Sequence, residues 1–297
     1  MARIAIVGVG AIGGVIAALL QSAGRHEVVL CARRPLAGLS VETPEGRVQI
    51  GATVVTDPVD APAVDWVMVA TKAYDAAGAA RWLERLCAKG APVAILQNGV
   101  EHCERFAPYV PMQSILPVIV DCPVERRSPE KIFQRGVMHL KVPSGAAGDA
   151  FVDLFKGTNA DAAVVPDFTT VAWRKLCHNA AGVLPALLLQ PAGVLRRDDI
   201  GEVALQMIRE CIAVGRAEGA QLGDEVAEAV LAAYRASPPD SVNSLHADRL
   251  AGRPMEIDAR NGVIVRLGKK HGISTPDNQM AVALLEAMVQ KSESTSG

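Results

Sequence analysis

The sequence predicts an α/β fold in residues 1–167, followed by an all-helical domain in residues 168–297. Short apolar runs alternate with helical segments in the first part, which is typical of βαβ units and a parallel sheet. After Pro166 the apolar residues recur at helical spacing alone. The 297 residues suffice for about two domains. Half of them are apolar but only 4% are aromatic, so aliphatic side chains must form the core.

The first half begins with a strand at 3–7, a helix at 12–23 that Gly24 ends, and a second strand at 27–31. Later apolar runs are rich in β-branched residues, as buried parallel strands are. They lie at 66–70, 93–96, 115–120 and 137–142. The stretch 122–142 resembles a hairpin, which we expect to add antiparallel strands at a sheet edge.

Five segments of the second half show apolar residues at helical spacing. They are 169–189, 200–217, 224–235, 256–270 and 276–290. Glycine or proline follows three of them, as expected at helix ends. We expect the small, polar residues from about 291 to 297 to form a disordered tail.

The composition excludes several classes of protein. The formal net charge of −2 argues against a nucleic-acid partner, and no apolar run approaches the ~20 residues of a membrane span. The six cysteines show no zinc-site spacing, so we predict no metal and interpret them as buried free thiols. Since a strand starts at Arg3, we expect no signal peptide and a cytoplasmic location.

A glycine-rich turn follows the first strand and opens the first helix. Its residues are Gly8, Val9, Gly10, Ala11, Ile12 and Gly13. In a G-x-G-x-x-G motif, the glycines permit a tight turn, approach of a pyrophosphate and close helix–strand packing. The anion then lies at the helix N-terminus, where backbone amides and the helix dipole favour it. The motif predicts a Rossmann-type dinucleotide-binding domain; the alternative is a merely tight strand–helix turn.

The end of the second strand indicates which dinucleotide binds. NAD-binding domains usually place an acid about 20 residues beyond the motif, but Arg33 stands 20 residues after Gly13 and Arg34 follows it. Guanidinium groups bind a phosphate bidentately, whereas an acid would repel it. We therefore predict NADP(H), with a solvated arginine pair as the alternative.

Two polar segments follow later strands, at the sheet edge where ligands bind in open α/β sheets. Thr71 and Lys72 follow one strand, and Gln97, Asn98 and Gly99 follow the next. Taken alone, Lys72 could be a surface lysine and the Asn-Gly pair only a turn. Their shared position at the sheet edge favours a site.

The helical half contains a second group of candidate residues. Lys175 and Asn179 are four residues apart and so share one helix face, although such a lysine often only snorkels. Glu256 begins a helix, where a capping carboxylate is the alternative. Asp240 and Ser241 look like N-cap residues, which leaves the role of Ser244 ambiguous.

These segments together resemble the ketopantoate reductases (2-dehydropantoate 2-reductases). The resemblance covers residues 3 to about 290 in order and spacing. Its blocks are the turn from Gly8 to Gly14, Thr71 to Ala73, Gln97 to Gly99, Arg174 to Asn179, and Ser244 to Asp258. Many dehydrogenases share the glycine motif, whereas the later blocks together are far more specific.

The resemblance implies a Rossmann domain, a helical domain and an active site in the cleft between them. It implies that NADPH delivers a hydride to C2 of ketopantoate, giving pantoate for the coenzyme A pathway. Lys175 matches the catalytic lysine, the proton donor to the developing alkoxide, and Glu256 matches a carboxylate beside the substrate hydroxyl. The groups that orient substrate or nicotinamide match Asn98, Asn179 and Ser244, and Lys72 matches a lysine near the cofactor.

One departure from the family pattern concerns the substrate. The family has a further Asn-Pro pair after the lysine helix, but residues 179–185 read Asn-Ala-Ala-Gly-Val-Leu-Pro. Loss of a polar anchor can change specificity severely, so a different small 2-keto acid is an alternative substrate. His246, near Ser244, is expected to be a solvated helix histidine, with a second titrating group as the alternative.

A non-catalytic regulator that binds NADPH is the alternative outside the enzyme class. Such a regulator would keep the glycine turn and the arginine pair but would not need Lys175 and Glu256. The helical half is apolar enough to bury a dimer interface, so a homodimer remains open.

Overall fold

The structure is a computed structural model that describes residues 1–36 and 38–294, with side chains through residue 288. The chain divides into two compact units, Met1–Phe168 and Thr169–Gly297, called units 1 and 2 below. Unit 1 combines strands and helices, and unit 2 is helical.

Within the described residues, the strands of unit 1 form three sheets. In chain order they are β1 (Arg3–Val7), β2 (Glu27–Cys31), β3 (Ser40–Thr43), β4 (Gly46–Gln49), β5 (Thr53–Val55), β6 (Trp66–Val69), β7 (Val93–Ile95), β8 (Ile115–Pro117), β9 (Ile119–Asp121), β10 (Val124–Ser128), β11 (Lys131–Gln134), β12 (Met138–Pro143) and β13 (Ala160–Val165). In the part of unit 1 that the structure describes, four α-helices accompany them: α1 (Ala11–Ala23), α2 (Ala76–Leu86), α3 (His102–Phe106) and α4 (Ala146–Leu154).

The main sheet has the order β5-β2-β1-β6-β7-β8, and all its strands run parallel. The strand order reverses between β1 and β6. In doubly wound sheets, ligands bind outside the carboxyl ends of the strands at such a switch point. This topology confirms the predicted α/β, Rossmann-type class.

Both faces of this sheet are buried, which explains the continuous apolar runs of its strands. Successive side chains of a strand point to opposite faces. Ile4 and Ile6 therefore join one core cluster, which includes α1 and α4, while Ala5 and Val7 join the other. The second cluster contains Trp82 and other apolar side chains of α2 and α3.

The predicted strand 115–120 and the hairpin that follows it need correction. Residues 115–120 form two strands, β8 and β9, which belong to different sheets. The hairpin β10–β11 exists, but it pairs with β3 in a separate sheet of order β10-β11-β3-β4 rather than at the main sheet's edge. The pairing of β11 with β3 joins segments far apart in sequence, and no local pattern encodes it.

Unit 2 contains seven α-helices within the described residues. They are α5 (Phe168–Ala181, whose first residue belongs to unit 1), α6 (Val183–Leu188), α7 (Asp198–Ala217), α8 (Glu225–Ala236), α9 (Ser244–Leu250), α10 (Val263–His271) and α11 (Pro276–Ser294). A π-helical turn, Asp258–Gly262, precedes α10. The helical character predicted for this half is confirmed.

Two boundaries in unit 2 differ from prediction. The segment expected as one helix over 169–189 divides at Gly182, because Pro185 has no N–H group to continue the α5 ladder. The helix α11 continues to Ser294, so residues 291–294 are not the expected tail. They include lysine and glutamate, which favour helix, and neither glycine nor proline. The rest of that expected tail, 295–297, lies outside the described residues.

Candidate active site

The predicted ligand segments of unit 1 meet at one edge of the main sheet. The strands β1, β6 and β7 are neighbours. Hydrogen bonds continue the ladder beyond the strand ends: Ala70 N–H donates to Val7 O at 2.8 Å, and Leu96 N–H donates to Val69 O at 2.8 Å. The glycine turn, Lys72 and Asn98 therefore all follow adjacent carboxyl ends.

The geometry of the glycine turn requires glycine at two of its positions. Gly8 has φ +95°, and a Cβ there would lie 2.7 Å from the backbone N of Thr71. A Cβ on Gly13 would lie 2.1 Å from Gly8 O. Side chains at these positions would therefore separate the turn from its neighbours.

Gly10 differs, because a Cβ there would meet no atom within 4 Å. The space beside Gly10 adjoins the N-terminus of α1, whose first turn contains no acidic residue. The first N–H groups of a helix have no partner within it and favour an anion. This turn therefore fits the pyrophosphate of a dinucleotide, with the backbone of Ala11, Ile12 and Gly13 as donors.

Gln97 fastens two of the strand ends together. Its side-chain nitrogen donates to Thr71 Oγ1 at 2.9 Å and to Lys72 O at 3.2 Å. His102 Nε2–H donates to Gln97 O at 2.9 Å. These bonds hold Lys72 and Asn98, both half-buried, at the sheet edge. The sequence placed Gln97 in a candidate segment, but it did not predict that Gln97 would connect two strand ends.

Arg33 and Arg34 are exposed directly after β2. Ala32 N–H donates to Val55 O at 3.0 Å, which fixes the backbone just before them. Within the described part of the chain, neither guanidinium group has a hydrogen-bond or ion-pair partner. Their positive charge is thus not neutralised by a neighbouring carboxylate, which suits a phosphate group.

In unit 2, hydrogen bonds connect the segments of the candidate residues to the C-terminal end of α5. Lys175 and Asn179 are half-buried on one face of α5, one turn apart. The carbonyl oxygen of Asn179 accepts from Arg260 Nη2 at 3.0 Å, and that of Ala180 accepts from Asn261 Nδ2 at 3.2 Å. The π-helical turn thus binds the end of the lysine helix.

Glu256 stands just before this turn and is only 5% exposed. Arg260, 2% exposed, lies within its electrostatic reach. Burial lowers the pKa of the Arg260 guanidinium, while Tyr234, Glu256 and Asp248 act in the opposite direction. The Arg260 guanidinium therefore feels the negative charge of Glu256 and also donates to the backbone of Asn179. We did not predict Arg260, although it stands four residues after Glu256.

Ser244 is exposed at the first residue of α9. Asn243, rather than Asp240 or Ser241, caps this helix by accepting from His246 N–H at 3.0 Å. Asn243 Nδ2 also donates to Gly182 O at 2.7 Å. The prediction of Asp240 or Ser241 as the cap is thus wrong. Asn243 fastens the start of α9, and with it Ser244, to the chain just beyond α5.

His246 is not the solvated histidine that we expected, since it is only 2% exposed. It stands in the first turn of α9, beside the buried Leu245. Neither ring nitrogen has a hydrogen-bond partner within the described residues. Burial, and secondarily the charge of Arg249, lower the pKa of His246.

The stretch that lacks the family's second asparagine is apolar and buried. Val183, Leu184 and Pro185 are all buried. Residues 180–185 therefore offer no polar side chain to a ligand. Among the described residues, no group of three or more His, Cys, Asp or Glu side chains could hold a metal ion. In the same part of the chain, no helix combines the length and apolar character of a membrane span.

A parallel sheet with a glycine turn at its switch point, followed in sequence by a helical unit, defines a class of two-part dinucleotide-binding proteins. Within it, the chain belongs to the ketopantoate reductase family. Residues 4–146 match the family model "Ketopantoate reductase PanE/ApbA", and residues 167–289 match the model of its C-terminal part. The resemblance inferred from the sequence motifs is confirmed.

Similar proteins support the same family. A 2-dehydropantoate 2-reductase of Caulobacter vibrioides is 50% identical over 97% of this chain and 99% of that protein. A solved PanE/ApbA family ketopantoate reductase from Ralstonia eutropha JMP134 is 31% identical, with a TM-score of 0.90 over 98% of this chain and 99% of that one. A D-mandelate dehydrogenase solved with NADH and anilino(oxo)acetate is 22% identical, with a TM-score of 0.89 over 97% and 99%. At that identity it shows a shared fold alone.

Proposed function

We propose that this protein reduces the C2 ketone of ketopantoate to the hydroxyl of pantoate with NADPH. One observation supports the proposal: Asn243 and Arg260 tie the segments of Ser244 and Glu256 to the end of α5, the helix that carries Lys175 and Asn179. This arrangement occurs in a chain 50% identical to an enzyme named for this reaction. A regulator that only binds NADPH would not need this second group of residues.

The sheet edge of unit 1 would hold the cofactor. The N–H groups after Gly10 would bind the pyrophosphate, and Arg33 and Arg34 the 2′-phosphate. Lys72 and Asn98, at the ends of the central strands, would lie toward the nicotinamide half. Bound NADPH supplies the hydride that C2 of the keto acid receives.

Lys175 is the proposed proton donor to the ketone oxygen. As the carbonyl carbon receives the hydride, negative charge develops on this oxygen. An ammonium group held beside it stabilises that charge and then transfers a proton to complete the hydroxyl. The half-buried position of Lys175 on α5 limits competition from water.

Glu256 is proposed to accept a hydrogen bond from the substrate hydroxyl. Glu256 is buried near the Arg260 guanidinium, whose positive charge favours an acceptor carboxylate at this place. Asn98, Asn179 and Ser244 would orient the substrate or the nicotinamide ring through hydrogen bonds. A site that uses such bonds discriminates strongly against ligands that cannot make them.

A panel of keto acids tests the substrate. We expect kcat/KM with NADPH to be at least about tenfold higher for ketopantoate than for pyruvate, 2-ketobutyrate or benzoylformate, since one well-placed polar contact is worth that much. If kcat/KM were higher for another keto acid of the panel, that acid would be the substrate instead of ketopantoate. Such a result would be consistent with the apolar stretch 180–185. Tight NADPH binding without activity on any member would instead identify a regulator.

We also propose that the protein works as a homodimer in the cytoplasm. Met280, Leu284 and Met288 are exposed at intervals of four residues on α11, so they form an apolar stripe on one face. All six cysteines lie in the described part of the chain and are thiols outside any disulfide, as in reducing compartments. Light scattering across protein concentration tests the dimer, which a monomer at all concentrations would exclude. Cell fractionation tests the location.

A further inference from the structure

Arg126 connects a distant strand to the glycine turn. It lies on β10, in the separate sheet, more than ninety positions after Arg34. Its Nη1 nevertheless donates to Val9 O at 2.5 Å, inside the glycine motif. Its Nε donates to Ser128 O at 3.3 Å, and its Nη2 donates to Pro129 O. Three backbone carbonyls therefore fix the half-buried guanidinium beside the proposed cofactor site.

This arrangement leaves part of the Arg126 fork available. A guanidinium carries five N–H donors in one plane, and three of them serve the carbonyls of Val9, Ser128 and Pro129. Within the described residues, the remaining N–H groups, one on Nη1 and one on Nη2, have no acceptor. An N–H group on each terminal nitrogen can therefore donate to a phosphate oxygen.

The charges around Arg126 also indicate an anion. Burial, and then the positive charge of Arg34, lower the pKa of Arg126, so the two guanidinium groups lie close enough to repel. Glu130 opposes this effect only as the smallest contribution. Its carboxylate accepts from the Ser128 hydroxyl at 3.1 Å and forms no ion pair with Arg126 among the described residues. A dianion at this place would stabilise both arginines.

We propose that Arg126 is a third binding residue for the 2′-phosphate of NADPH and sets the preference for NADPH over NADH. This inference rests on the proposed function, because it assumes that the glycine turn holds a dinucleotide. Arg34 follows a strand of the main sheet, whereas Arg126 lies on the separate sheet. The bond from Arg126 to Val9 O fixes the position of the proposed phosphate site relative to the glycine turn.

Two other roles for Arg126 make a different prediction. If Arg126 only fastened β10 to the turn, its loss would weaken NADPH and NADH equally. The same would hold if it bound the pyrophosphate, which both cofactors carry. Only a contact with the 2′-phosphate affects NADPH alone. The ratio of the Kd values for NADPH and NADH therefore distinguishes this role of Arg126 from the other two.

The experiment titrates NADPH and NADH, without substrate, into the wild type and the R126Q, R126K and R127Q variants. Arg127 is the matched control, since it is exposed on the same strand, pairs with Glu125 at 2.5 Å and stacks on Phe133 at 3.8 Å. We expect R126Q to raise the Kd of NADPH about ten- to a hundredfold, the range for a charged hydrogen bond, and that of NADH less than about threefold. R127Q should change neither.

The conservative variant keeps the test decisive if R126Q does not fold. Lysine retains the charge but not the fork, so R126K should still weaken NADPH more than NADH. Equal weakening of both cofactors, or no weakening, would overturn the inference. A wild type that binds NADPH tightly but does not reduce ketopantoate would contradict the proposed function and leave the Arg126 comparison fully interpretable.

Discussion

The candidate sites of the two units rely on different chemical groups. In unit 1, the glycine turn offers backbone N–H groups and open space, and Gly8 and Gly13 are required because side chains would collide. In unit 2, side chains supply the chemistry, and buried polar groups hold them in place. Arg260, Asn261 and Asn243 each donate to a backbone carbonyl at or just after the end of α5.

This difference determines how each site should fail. The glycine turn of unit 1 should be damaged by adding atoms where the cofactor approaches, without loss of stability. The site in unit 2 should be damaged by removing atoms, and removal of a buried group should also cost stability. The variants below separate these two modes of failure.

The largest effect is expected for Lys175→Ala. Loss of a general acid typically costs about 10²- to 10⁴-fold in rate, so kcat should fall within that range. The Kd of NADPH should stay within about twofold of the wild-type value, because the cofactor site is assigned to unit 1. Arg174→Ala, at the exposed neighbouring position, is the control. Steady-state kinetics showing near-normal turnover in K175A would remove Lys175 from this role.

Arg260→Met should have the next largest effect. Its loss removes the buried positive charge near Glu256 and the hydrogen bond to Asn179 O. Loss of a charged hydrogen bond costs about 1.5–3 kcal/mol in the free energy of unfolding. Urea denaturation measures this loss, and kcat should fall with it. Arg209→Met removes exposed ion pairs with Glu202 and Glu228 and should cost at most about 1 kcal/mol. Equal losses in the two variants would contradict the role of Arg260.

A smaller effect is expected for Gly10→Val. Its side chain would enter the open space at the start of α1 and collide with the pyrophosphate. This collision should weaken the binding free energy of NADPH by about 1–3 kcal/mol, so the Kd should rise roughly ten- to a hundredfold. The melting temperature should not change. Gly13→Ala is the contrasting variant, because its Cβ would lie 2.1 Å from Gly8 O and should lower the melting temperature. Unchanged NADPH binding in G10V would show that the pyrophosphate does not bind beside Gly10.

The smallest effect concerns the pH dependence of stability. Because burial depresses the pKa of His246 in the folded state, the unfolded chain binds this proton more readily. Stability should therefore fall as the pH drops below the unfolded value of about 6.5, with a slope of at most ~1.4 kcal/mol per pH unit from this group. Urea denaturation from pH 7 to pH 5 should show a shallower decline for His246→Phe. An identical decline in both proteins would assign the acid sensitivity to other groups.

Sequence reasoning succeeded where the signal is local. The glycine motif, the flanking strands and the lysine–asparagine pair on α5 each lie within one short segment, and their periodicity predicts the elements that contain them. The residues that hold these groups in place were not predicted. Arg126 reaches Val9, and Arg260 reaches Asn179, across long stretches of chain. No spacing rule connects such positions.

The sequence also misled where burial depends on tertiary contacts. His246 has the polarity of a surface residue, yet packing of α9 encloses it. The separate sheet joins β10 and β11 to β3 and β4, and strands with polar residues such as Glu42 and Arg47 do not show the apolar runs of the main sheet. The burial of His246 and the separate sheet both depend on contacts between segments that are distant in the sequence.

Isotope transfer tests the central claim most directly. The wild-type protein would be mixed with ketopantoate and NADPH deuterated at both C4 positions of the nicotinamide, and the product examined by mass spectrometry and proton NMR. We expect pantoate with a single deuterium at C2, formed in equal amount to the NADPH consumed. Pantoate without deuterium, or no pantoate while NADPH binds tightly, would contradict the account.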